Sequence, residues 1–218
     1  MAKVLVTGHF NGIGKYIYDK CVASGHTVKG VDILDDTQWD LSSPEDREWL
    51  LEQYGHYDVF VNNAYELDLT TKMSTQNQLL QLFLDAWADT NKYIISIGST
   101  AGLKRPQKDL KMKKYSLDKE RHTKLIHNWR KTKPNGPNVC NFNFGFYVKP
   151  DNEPKTALLG QDVSDYVSQL DRAEMHDYGD YIVNLLNDRE SIWIDEIYVD
   201  LPDQDNNRNR FIKDYGVV

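Results

Sequence analysis

Short apolar runs rich in Val, Ile and Tyr alternate along this chain with longer stretches of helical character, and that alternation limits the fold more than any other feature. The spacing predicts strands at Lys3–Thr7, His26–Asp32, Asp58–Asn62, Lys92–Ile97, Asn138–Phe144 and Ser191–Val199. It predicts helices near Ile13–Ala23, Pro44–Gln53, Thr75–Ala88, Lys114–Lys131 and Arg172–Asn187. Ser43, Pro44, Glu45 and Asp46 read as a helix start, with a serine cap, proline in the first turn and acids where the helix dipole favours them. Strands such as "DVFVN" and "YIISI" are apolar on both faces, as strands covered by helices on both sides must be. The expected class is α/β: one doubly wound parallel sheet over residues 1–200, with right-handed crossovers and a polar tail at 201–218.

Composition narrows the partners. A net charge of -7 argues against a general binder of nucleic acid or anionic membrane, because both need a basic surface. No apolar run approaches the roughly 20 residues of a membrane helix. The first expected strand begins at Lys3, which leaves no room for a signal peptide. The two cysteines, Cys21 and Cys140, are far apart and form no CxxC, so neither a disulfide framework nor a zinc site is expected and a reduced, cytoplasmic setting is the default. His122 and His127 have no third ligand at metal-like spacing, so no metal is expected.

The stretch "VLVTGHFNGIG" places Gly8, Gly12 and Gly14 between the first strand and the first helix. Backbone N–H groups and a helix N-terminus there suit a pyrophosphate, although glycines also serve tight turns that hold nothing. The second strand ends at Asp32, eighteen residues beyond Gly14. An acid at that place can accept hydrogen bonds from an adenosine ribose and repel a 2′-phosphate, which favours NAD over NADP in a Rossmann-type sheet. Asp40 in "WDLSS" either contacts adenine or merely precedes the Ser43 cap. Asn62 and Asn63 close the third strand, where side-chain amides tie strand and loop backbones together or touch a cofactor.

The fourth strand runs into "IISIGSTAG", and sixteen residues past Ser99 comes "YSLDK", with Tyr115 and Lys119 at i and i+4 on one helical face. Tyrosine ordinarily ionises near pH 10, so acid–base work near neutrality needs a cation beside it, and a lysine one turn away provides one. A hydroxyl such as that of Ser99 can hold a carbonyl oxygen on which charge develops.

In this order the glycine turn, "NNA", Ser99 and YxxxK resemble the short-chain dehydrogenase/reductase family over roughly residues 1 to 200. The resemblance implies an NAD(H)-dependent oxidoreductase interconverting an alcohol and a carbonyl. It implies Tyr115 as general acid/base, Lys119 also on the nicotinamide ribose, Ser99 orienting the carbonyl, and Asn77 in a proton relay through water. It extends the cofactor set to Asn11, Ile13, Leu41, Ala64 and Gly145, and it implies a homo-oligomer, dimer or tetramer, working on a small-molecule carbonyl or alcohol. The chain departs from the pattern where Tyr65 replaces the glycine after NNA, where Phe144 replaces a proline, and where Lys149 stands at a threonine. Those departures support an alternative: a non-catalytic dinucleotide-binding regulatory or scaffolding protein with the same fold. A nucleotide-sugar epimerase is weaker still, because the chain is short for an added substrate domain.

Two segments interrupt the rhythm, Gly102–Lys113 and Pro150–Leu170, each after a strand at the end where open α/β sheets bind ligands. The first carries Lys104, Arg105, Lys108, Lys111 and Lys113 against Asp109, with Lys114 following, and is either a solvated loop or a steering surface for an anionic substrate. Trp87 and Trp129 are either core residues or anchors for a second subunit.

Overall fold

A computed structural model describes residues 1–35, 39–66, 73–99, 110–133, 135–144, 175–188 and 196–199. The basic loop at 100–109, Gly145, Lys149, the segment 150–170 and the tail 201–218 lie outside the described residues, as do the side chains of Lys111 and Phe144.

The elements are β1 (Lys3–Thr7), α1 (Gly12–Ala23), β2 (Thr27–Val31), α2 (Pro44–Tyr54), β3 (Val59–Asn62), α3 (Thr75–Ala86), β4 (Tyr93–Ser99), α4 (Leu110–Thr132), β5 (Asn138–Phe144), α5 (Met175–Asp188) and β6 (Glu196–Val199). All six strands pair in parallel in the order β2-β1-β3-β4-β5-β6. The chain passes from β2 at one edge, across β1, to β3 on its other side, so the order reverses between β1 and β3 and opens a crevice beyond their carboxyl ends.

Alternate residues of each strand serve separate cores. Val4, Val6, Val59, Val61, Ile95, Ile97, Cys140 and Phe142 pack with Ile17 and Cys21 of α1 and Ile182 and Leu186 of α5. Leu5, Phe60, Ile94 and Val139 face α2, α3 and α4 through Leu50, Leu80, Phe83 and Ile126. Phe60 and Phe83 stack at 3.9 Å there. The start of α2 is built as its sequence implies: Ser43 Oγ accepts the Asp46 N–H at 3.3 Å behind Pro44. Trp87 and Trp129 belong to this second core, 2 % and 7 % exposed, and the Trp87 indole donates to the Gly55 carbonyl at 2.9 Å. Of the two roles open to these tryptophans, the core one is the one they fill.

Toward the carboxyl ends of the strands the second core turns polar. The parallel register sets Asn62 opposite Ser96 and Ser96 opposite Asn141, with Gly98 and Asn143 paired one step further on. Each of these polar side chains is buried. An unsatisfied buried polar group costs about 1–3 kcal/mol, so such a row persists where helices bring partners to it. Among the described residues no helix is long and apolar enough to cross a membrane.

Candidate active site

The glycine turn lies at the crevice and is held from both sides. The Gly8 N–H donates to Val31 O at 2.8 Å, and the Asn63 side-chain amide donates to Thr7 O at 3.0 Å and Gly8 O at 3.1 Å. Thr7 Oγ1 accepts the N–H groups of Asn63 and Ala64, both at 3.1 Å. Gly8 and Gly12 have φ of 70° and 57°, the left-handed region in which a side chain is strained. Asn11 enters α1 in extended backbone and makes no side-chain cap, so the first amides of α1, with Ile13 buried behind them, are left to face the crevice.

Asp32 stands at the rim. Its Oδ2 accepts the Phe10 N–H at 3.1 Å and its Oδ1 the Leu34 N–H at 3.0 Å, so the carboxylate braces the glycine turn while each oxygen keeps a lone pair toward solvent. Phe10, Ile33 and Leu34 are exposed around it at 50 %, 59 % and 58 %. The sequence pattern did not single out these three.

Asp40 closes a turn: its Oδ1 accepts the Ser42 N–H at 3.0 Å and the Ser42 hydroxyl at 2.6 Å, and these bonds hold the carboxyl below its ordinary range. Leu41 is buried in the core, and Arg47 fixes the turn through the Leu41 and Ser42 carbonyls, both at 2.8 Å. The role of Asp40 visible here is the one preceding the Ser43 cap. Asn62 is likewise structural, since its amide points inward to Gln76 O and Ser96 Oγ, both at 3.0 Å, and the side chain has no exposed surface. Of the two uses open to this amide, tying backbones together is the one the structure shows.

Ser99 ends β4 and is half-buried, and Tyr115, also half-buried, lies in the second turn of α4. Lys119, one turn on, points inward and is 4 % exposed. Its Nζ donates to Gln76 Oε1 at 2.6 Å and to Ile97 O at 3.2 Å, and it lies 4.4 Å from the Tyr65 ring centre and 5.6 Å from that of Tyr115. The two rings meet edge to face at 5.3 Å and 89°. The Tyr65 hydroxyl is buried and turned toward Asp118 without closing a hydrogen bond, and burial with the Asp118 charge pushes that phenol's pKa up. Tyr65 therefore roofs the lysine.

The Asn77 side chain turns to Asp118 and His122 rather than to the lysine. Its Nδ2 donates to Asp118 Oδ1 at 3.0 Å, and its Oδ1 lies 2.6 Å from His122 Nδ1. His122 Nε2 is 2.8 Å from Ser96 Oγ, which also accepts from Asn62. With the Asn77 amide nitrogen committed to Asp118, the histidine donates from Nδ1, and burial together with the Lys119 charge favours its neutral form, with Nε2 facing the Ser96 hydroxyl. Gln76, Asp118, His122 and Ser96 were missed by sequence reasoning. The signal was helical phase: Gln76 and Asn77 share a buried stripe with Leu80, Phe83 and Leu84, and His122 shares one with Ile126 and Trp129. A second polar group lies behind the site, where Glu196 Oε1 accepts from Asn141 at 2.8 Å and Asn143 at 3.0 Å.

Burial holds the Lys119 amine down to about 7, with the Asp118 charge opposing that fall, and burial followed by the Lys119 charge holds His122 well below its ordinary value. Between about 7 and the ordinary 10.5 the folded chain binds fewer protons at Lys119 than the unfolded chain does. Stability therefore rises with pH across that window, and the full penalty applies below it. Urea unfolding at a series of pH values should give a slope of up to about 1 kcal/mol per pH unit in that window, lost in Lys119→Met. Equal slopes in the two proteins would show that the lysine keeps its charge when folded.

Comparison with known protein-family models returns no match, and neither does comparison with curated protein sequences. Solved structures do resemble the chain. A 3-alpha-hydroxysteroid dehydrogenase from Pseudomonas sp. B-0831, complexed with NADH, superposes with a TM-score of 0.72 at 18 % identity, covering 98 % of this chain and 99 % of that one. A short-chain dehydrogenase from Streptomyces avermitilis gives 0.67 at 18 % identity, covering 98 % and 92 %. A short chain dehydrogenase from Burkholderia cenocepacia J2315, in complex with NADP, gives 0.66 at 18 % identity, covering 90 % and 95 %. The chain has the fold of the short-chain dehydrogenases/reductases. At these identities the likeness concerns the fold, and the argument for activity rests on the residues of the site.

Proposed function

We propose that the chain is an oxidoreductase that interconverts an alcohol and a carbonyl with a nicotinamide dinucleotide, NAD(H) in preference to NADP(H). The observation that carries this reading is the Lys119 amine held against the ring of Tyr115 at the carboxyl ends of β3 and β4, beside an open glycine turn at the strand-order reversal. The neighbours described above were solved with NADH in one case and NADP in another, so the preference rests on Asp32 alone.

The adenosine end suits a dinucleotide. Gly8, its N–H spent on Val31 O, shapes the turn; backbone amides at Asn11, Gly12, Ile13 and Gly14 would meet the pyrophosphate, Asp32 would accept from the ribose, and Phe10, Ile33 and Leu34 offer apolar surface to a base. The bound cofactor would supply or accept the hydride. The protein's share is proton management: Ser99 holds the carbonyl oxygen, Tyr115 gives or takes its proton, and the lysine charge beneath the tyrosine ring favours the phenolate. The nicotinamide end suits it less well, because the N–H groups of Lys119 are committed to Gln76, Ile97 and the face of Tyr65.

That commitment supports the second reading, a dinucleotide-binding protein without turnover. Titration with NADH and with NADPH, followed by a screen of aldehydes and ketones, separates the two: binding with turnover supports the first, binding alone the second. Asp32→Asn removes the charge and keeps an acceptor for the loop. It should raise the NADPH-to-NADH affinity ratio by about tenfold, the effect of removing roughly 1.4 kcal/mol of repulsion. An unchanged ratio would assign the preference elsewhere.

A further inference from the structure

We propose that Gln76 is a positioning residue, which fixes the Lys119 amine beneath Tyr65 and Tyr115 by a hydrogen bond from one side chain directly to the other. The proposal rests on the reading of Tyr115 and Lys119 given above. Gln76 follows the Ser74 cap in the first turn of α3 and is 1 % exposed. Its Nε2 donates to Asn62 O and to Ile97 O, both at 2.9 Å, which are carbonyls near the ends of two adjacent strands. With both amide hydrogens committed, Oε1 has one direction left, and Lys119 Nζ meets it at 2.6 Å. The Ile97 carbonyl accepts from Gln76 and Lys119 alike, so the three groups form a closed triangle. A slack lysine side chain is thereby held to one place.

The titratable groups near this amine are Asp118, His122 and Tyr115 on its own helix and Tyr65 from the segment after β3. The neighbour contributed by α3 is a neutral amide. A carboxylate in its place would hold the ammonium form, whereas loss of the oxygen would leave a buried amine with one carbonyl and favour the neutral form. The choice of glutamine thus sets the pH at which the tyrosine's neighbour gives up its charge.

Gln76→Glu and Gln76→Met test this in the full chain. The readout is the pH titration of the Lys119 ε-carbon by NMR with ¹³Cε-labelled lysine, assigned through Lys119→Arg, with circular dichroism reporting the fold. The midpoint should rise by at least about one pH unit in the glutamate variant and fall in the methionine variant. Midpoints unchanged in both, or moved the same way, overturn the proposal. If Gln76→Met does not fold, the nearly isosteric Gln76→Glu decides alone, an unmoved midpoint overturning it. The pH profile of NADH oxidation with a panel of aldehydes and ketones is recorded beside the titration. A shifted midpoint without turnover in any variant keeps the positioning role and removes the oxidoreductase reading. Turnover whose pH profile and midpoint both ignore the substitutions removes the positioning role and keeps the reading.

Discussion

Replacing Tyr115 with Phe should lower turnover by about 10²–10⁴-fold, the range that a positioned acid–base group contributes, while NADH affinity changes little. Phenylalanine keeps the ring, and with it the edge-to-face contact to Tyr65 at 5.3 Å and the ring beside the Lys119 amine. What is removed is the oxygen that would exchange a proton with substrate. The adenosine end, built from the Gly8 turn and Asp32, shares no element with Tyr115. Steady-state NADH oxidation and a fluorescence titration on the same two proteins check both halves. Turnover at the wild-type rate would remove Tyr115 from the chemistry. A wild type that binds NADH and turns over no carbonyl would make the non-catalytic reading the leading one.

Gly14→Ala is expected to have the largest effect on both fold and binding. A Cβ at this position would lie 1.9 Å from Gly8 O and 2.4 Å from Asn63 Nδ2, and the first of these is backbone that cannot swing aside. Overpacking in a tight interior costs about 1–3 kcal/mol and sometimes more, and this contact belongs at the top of that range. The Asn63 amide that bonds Thr7 O and Gly8 O is displaced in the same movement, so the turn loses its brace along with its shape. Gly12→Ala provides the control, since nothing lies within 4 Å of its Cβ and the cost is that of a side chain at φ 57°, about 1–2 kcal/mol. Urea unfolding and NADH titration should rank wild type above Gly12→Ala above Gly14→Ala. Equal effects of the two alanines would mean that the turn is looser than its packing implies.

The strands and helices were legible because each has a local signature. Both-face apolar runs in β3 and β4, the Ser43 and Pro44 start of α2 and the glycines before α1 need no knowledge of the rest of the chain. The order of reading along the sheet was less accessible, since where β2 ends and β3 begins does not say on which side of β1 each lies. At the site, Asp32 was found from its distance to the glycines, but its bonds to Phe10 and Leu34 depend on loop conformation. Tyr65 stood out as a departure from the family pattern, yet its place over Lys119 joins two segments with α3 and β4 between them in sequence. Gln76, Asn77 and His122 were harder, because a polar residue on a helix reads as solvent-facing until its phase is compared with the leucines around it.

The brace on the glycine turn also bears on the order in which the molecule assembles. Asn63 and Ala64 reach back 55 to 57 positions along the chain to grip Thr7 and Gly8. Before β3 docks beside β1, the bend has only the β2 side of its brace, the Val31 carbonyl and the Asp32 carboxylate. Contacts of such long sequence separation carry a loop-closure cost that local ones do not, and they form late. The crevice at the strand-order reversal is therefore a product of completed folding, and a nascent chain released before residue 64 would carry the glycine motif with only half of its brace.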